Sequence, residues 1–197
     1  MPHLVCVFRR PVFYSDSLVS LRAGPLVHVE MMPLDESNPQ NSLSYTSYVG
    51  GPFCMTLAAK QTYSDETCVA LALPMQDHEM ASLERYLEEL CVANIPYNYL
   101  DTALMLLPAS VHECISDDVT SEAPGELRHL FCSQAVVLAL RHALDRERHL
   151  HGAMCSLNSR VTLPYALFHI LRPYGQTVSC NALQRGAIVP LSLPQPV

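Results

Sequence analysis

The chain has 197 residues, 49% of them hydrophobic and 16% charged, with a formal net charge of −7. That is long enough for one well-buried core and too apolar for a disordered polymer. The acidic balance, with a pI near 5.6, excludes the basic stripe that marks a nucleic-acid binder.

Met1 to Arg10 has no long apolar run ahead of a small-residue cleavage site, so no signal peptide is expected. Leu4 to Phe8 reads as a short apolar strand. Leu26 to Met32 is the next. Its alternation turns Val27, Val29 and Met31 toward a core and Leu26, His28, Glu30 and Met32 to the other face. His28 and Glu30 are then less than about 7 Å apart along the strand. An imidazole beside a carboxylate suits a base with an orienting partner. The plainer meaning of such alternation is a polar face turned to solvent. Pro33 to Asn41 reads as an exposed loop. Residues 44–49 and 53–57 read as strands flanking a Gly50-Gly51-Pro52 turn, and Cys68 to Leu73 as a strand closed by Pro74.

Helical spacing begins at Asp77, with Met80, Leu83, Leu87, Leu90 and Cys91 on one stripe and Asp77 and Glu79 at the positive end of the dipole. Pro96 ends this helix by Ile95. A shorter helix spans Leu100 to Leu107, and residues 115–126 read as an acidic loop. A third helix runs from about Ser133 to Arg148. A fourth runs from Leu163 to Leu171, with Thr162 as its N-cap and Pro164 in its first turn. The last twenty residues contain Pro190, Pro194 and Pro196 and no helical period. The layout is α+β, a small antiparallel sheet packed against helices. It is one domain over residues 1–175, with 176–197 as a Pro-rich tail or covering arm.

Eight cysteines (Cys6, Cys54, Cys68, Cys91, Cys114, Cys132, Cys155, Cys180) are scattered without a Cys-x-x-Cys pair. Most lie in apolar patterns, so a reduced, cytoplasmic protein is expected. No apolar run reaches the roughly 18 residues of a membrane span. Cys132 differs in placement, standing where a loop becomes an apolar helix. There the dipole and free N–H groups favour a thiolate and can hold an oxyanion. Such placement predicts a thiol pKa well below the roughly 8.5 of free cysteine. The alternative is that Cys132 is one more buried small residue. The other histidines offer no comparable partner: His149 and His151 read as a solvated basic end, and His129 sits in a loop. No paired Cys/His spacing suggests zinc, no glycine loop a nucleotide, and no Gly-x-Ser-x-Gly a serine elbow. Neither metal nor cofactor is expected.

Taken together, His28-Val29-Glu30, the Tyr97-Asn98 loop after a long helix, Phe131-Cys132-Ser133-Gln134, and Thr162-Leu163-Pro164 resemble the circularly permuted, papain-like NlpC superfamily. In that group a histidine strand precedes the cysteine helix. The similarity covers roughly residues 20–175. It implies a cysteine hydrolase or acyltransferase acting on peptide, peptidoglycan or lipid-type acyl substrates, with Cys132 as nucleophile and His28 as base. Glu30 is the first choice for the orienting residue; Tyr45 or Ser47 of the following strand is the competitor. Proteins resembling this one also occur in large DNA viruses. The alternative function is therefore a non-enzymatic structural or interaction module with the same fold, such as a minor component of a virus particle.

Overall fold

A computed structural model of the protein describes residues 1–11, 24–34, 42–47, 51–104, 111, 123–185 and 187–191. Among the described residues, six strands form one antiparallel sheet: β1 (His3–Arg9), β2 (His28–Leu34), β3 (Leu43–Ser47), β4 (Phe53–Leu57), β5 (Cys68–Pro74) and β6 (Gln176–Val178). Their spatial order is β4-β3-β2-β1-β5-β6. The helices are α1 (Asp77–Val92), α2 (Tyr99–Leu104), α3 (Cys132–Ala143), α4 (His149–Cys155), α5 (Pro164–Leu171) and α6 (Cys180–Leu183). The α+β class expected from the sequence is the observed one. Parts of the loops expected at 33–41 and 115–126, of the 50–52 turn, of the 100–107 helix and of the Pro-rich tail lie outside the described residues, as does Cys114.

The central strands β1, β2 and β5 are covered on both faces, while the edge strand β4 exposes Met55 and Leu57. One face carries Leu4, Cys6, Phe8, Val29, Met31, Tyr45, Leu71 and Leu73, packed under α1, α3 and α5. The other carries Val5, Val7, Met32, Leu34, Ala70 and Ala72, covered by Tyr63, Cys180 and Leu183. Hence β1 and β5 read as unbroken apolar runs, a pattern more usual for parallel strands. Gln176–Val178 adds an edge strand to β5, and α6 folds back over the same face. The start of the segment read as a tail or arm is thus part of the sheet and its cover.

Helix ends follow local chemistry. Gln76 N–H donates to Glu79 Oε2 at 2.9 Å, one half of a capping box at the start of α1. Asn94, at φ 51°, turns the chain out of α1; asparagine tolerates that left-handed geometry. The third helix stops at Ala143, five residues short of the expected end. Leu144 is extended, and Asp145 N–H donates to Glu79 Oε1 at 3.1 Å rather than continuing the helix. Helix α5, expected to start at Leu163 behind a Thr162 cap, is capped instead by Leu163, and the Thr162 hydroxyl donates back to Asn158 O at 2.7 Å.

Glu79 joins these ends. It is fully buried, pairs with Arg148, and accepts from the backbone at Gln76 and Asp145. Removing one partner of such a pair leaves the others unsatisfied. Glu79→Ala is expected to lower unfolding free energy by about 3 kcal/mol, read from urea denaturation. A loss below about 1 kcal/mol would show that water replaces the carboxylate.

Candidate functional site

The start of α3 is set by its approach. Leu130 O accepts from Ser47 Oγ at 3.0 Å and from Asn98 N–H at 3.1 Å, while Leu130 N–H donates to Pro96 O at 3.0 Å. The segment is therefore held between β3 and the 96–98 turn. Phe131 then caps the helix, and Ser133 Oγ donates to Thr162 O at 2.6 Å. These bonds hold Cys132 in the first position of a 12-residue helix whose next eight residues are all buried.

Cys132 is only 5% exposed. Burial pushes its thiol up to about 11, although the backbone N–H groups of Val29, Ser133 and Cys132 itself face the sulfur and oppose that rise. The helix-start position is as the sequence indicates, but the resting group is a neutral thiol rather than the depressed thiolate expected. Desolvation outweighs the free N–H groups of the first turn.

His28 opens β2, beside the Val29 peptide that faces the Cys132 sulfur. Alternation turns its side chain toward the face away from the body of α3, where Thr46 of β3 meets it. Thr46 Oγ1 lies 3.0 Å from His28 Nε2 and within hydrogen-bond reach of Val29 O at 2.9 Å. That hydroxyl therefore bridges the imidazole and the backbone of the same strand, and fixes the ring against β3.

Glu30, two residues on, is fully buried. It pairs with Arg9 Nε and accepts from Ser44 Oγ at 2.8 Å and Tyr63 O–H at 3.0 Å. Burial pushes this carboxyl up. The charge and hydrogen bond of Arg9, the nearby His28 and the Ser44 hydroxyl more than cancel that, and its pKa lies below the ordinary carboxylate value. The structure thus places Glu30 near His28, and Thr46 also bonds the imidazole. Of the two β3 competitors, Ser47 holds Leu130 and Tyr45 lies in the helix-side core. Thr46 and Arg9 were missed by sequence reasoning. The signal for Thr46 was the alternation of Ser44 and Thr46, which puts both on the face of His28 and Glu30.

Tyr97 adds an aromatic wall. Its hydroxyl is pushed up to about 12, first by burial and then by the proximity of Cys132. It also lines a cavity of about 260 Å³ with Gly51, Pro52, Asn94, Pro96 and Tyr99. Among the described residues, no three His, Cys, Asp or Glu side chains form a metal-binding group, and no helix is long and apolar enough to cross a membrane. Comparison of the chain with protein-family models, curated proteins and solved structures found no match.

The Glu30 pair makes stability depend on pH. A carboxyl whose folded pKa is lowered contributes stability that is present above the unfolded value, about 4.3, and is lost as pH falls through the folded value. Wild type is expected to exceed Glu30→Gln by about 3 kcal/mol near neutrality, with the gap shrinking only below about pH 5. Urea titrations at several pH values check this; a gap unchanged down to acid would contradict it.

Proposed function

We propose that this chain is a thiol hydrolase or acyltransferase with a permuted papain-like arrangement, acting on an amide, ester or thioester through Cys132 and His28. The observation that supports the reading is that two strands and one helix start converge. The Cys132 sulfur lies against the Val29 N–H, and the preceding residue, His28, has its Nε2 set 3.0 Å from Thr46 Oγ1. A helix-start thiol, an imidazole on the neighbouring strand, and a group orienting that imidazole are the parts of an activated cysteine nucleophile.

Each part has a role. Because the resting thiol is neutral, its proton leaves only as attack proceeds; in this reading His28 takes it as a general base in the bond-forming step, which requires the imidazole to reach from the Thr46 side of β2 to the Cys132 sulfur. The sulfur bonds to the acyl carbon, and the leaving group departs with the proton from His28. Water or a second nucleophile then cleaves the acyl-sulfur bond. The N–H groups around the sulfur suit the oxyanion of both steps. Thr46 serves as the orienting residue, and Glu30, held by Arg9, is a positioning residue that keeps β1, β2 and β3 together. Peptide, peptidoglycan and lipid-type acyl compounds are the substrate classes this chemistry takes.

The burial of Cys132 favours a second reading, in which the same layout serves as a non-enzymatic structural or interaction module in an assembly such as a virus particle. Steady-state hydrolysis of a panel of aryl esters, thioesters and peptide amides separates the two. The enzyme reading expects no turnover by Cys132→Ser and a kcat/KM lowered roughly 100-fold in His28→Ala. It expects a loss of about tenfold in Thr46→Val, with circular dichroism unchanged in all three. Cys132→Ser as active as wild type, or a folded wild type that turns over no member of the panel, would overturn it.

A further inference from the structure

A second group of reactive and charged side chains gathers at the far end of α3. His151 and Cys155 stand four residues apart on α4, hence on one helix face. The Cys155 sulfur lies 3.7 Å from each ring nitrogen of His151. Both line an open cavity of about 600 Å³ whose other walls are Arg141, His142, Leu144 and Arg146. That volume is in the range of small-molecule sites. Two guanidiniums and two imidazoles line it, with no carboxylate among the described residues of its wall, in a chain whose net charge is −7.

The basic wall is partly fixed in place. Arg141 Nε donates to Met154 O at 3.0 Å and its Nη2 to Leu157 O, tying α3 to the end of α4. His142 stacks on Tyr86 with 4.5 Å between ring centroids. Among the described cysteines, Cys155 is the exposed one; the others are buried or half-buried.

We propose that Cys155 is a thiol–disulfide exchange site whose basic cavity selects small anionic disulfides. The guanidinium of Arg146 pairs with a carboxylate of the incoming molecule. His151 takes the thiol proton, and the Cys155 sulfur attacks one sulfur of the disulfide. A protein–ligand S–S bond forms as the ligand's own S–S bond breaks. The departing thiolate carries the electron pair away and takes the proton back from His151. The incoming disulfide is itself the oxidant, and the product is a protein modified at Cys155. This site is independent of Cys132 and His28.

The test uses the full chain with two probes, oxidised glutathione, which is anionic, and cystamine, which is cationic. Peptide mass spectrometry follows mixed-disulfide formation with time. The ratio of the two rates at Cys155, divided by the same ratio in the urea-unfolded chain, removes the intrinsic reactivity of the reagents. The proposal expects Cys155 to be modified first and this normalised ratio to favour glutathione roughly threefold or more at low salt. It also expects Arg146→Ala to bring the ratio toward one, and His151→Ala to slow both reagents. A normalised ratio of one or less in wild type, another cysteine reacting first, or a ratio unmoved in Arg146→Ala would overturn it.

Discussion

A carboxylate with no exposed surface, in the middle of a sheet whose central strands are covered on both faces, is the constraint around which this molecule is arranged. Glu30 can stay charged there only if opposite charge and hydrogen-bond donors come to it. Arg9 of β1, Ser44 of β3 and Tyr63 of the segment before β5 do so. Arg9 also donates to Gln61 Oε1 and Thr62 O, and Tyr63 N–H donates to Gln184 Oε1 just after α6. One buried charge therefore ties the central strands to the segments that cover their second face. A packed apolar side chain of similar volume in place of the pair could match its stability, but it would lose this registration of β3 against β2.

That registration matters because the candidate site lies where these two strands meet the start of α3. Thr46 reaches both His28 Nε2 and Val29 O only if β3 lies correctly beside β2. Ser47, the next residue, holds Leu130 and thereby the approach to Cys132. Two opposing effects act on the thiol. The N–H groups of the helix start and of Val29 favour a thiolate, and burial disfavours it. Burial wins, pushing the thiol up to about 11. In the proposed function the cysteine depends on His28 for its reactivity, rather than on the helix dipole alone.

Much of this was legible from the residues. The turns of hydrophobic period placed β1, β2, β4, β5 and α1 to within a few residues, because long apolar runs and prolines dominate those stretches. Cys132 was recognisable at its helix start, since Ala135 to Leu140 is too apolar to be anything but a buried helix. Three features were hidden for physical reasons. The even face of β2 reads as a polar face turned to solvent, because its cover comes from Tyr63 and from Cys180 and Leu183, which are distant in sequence. Strand β6 is three residues long and only Val178 of it is apolar, so no period could reveal it. Helix α4 begins among histidines and arginines and holds Gly152, which hid both its helicity and the meeting of His151 with Cys155.

The central claim is that Cys132 carries the acyl group while His28 manages its proton. The most direct measurement is to mix the protein with an activated thioester, quench in acid within the first turnover, and map the acylated residue by peptide mass spectrometry. The account predicts an acyl group on Cys132 in wild type, sharply diminished when His28 is replaced by alanine. An acyl group found only on exposed Cys155, with Cys132 unmodified in a folded protein, would contradict it.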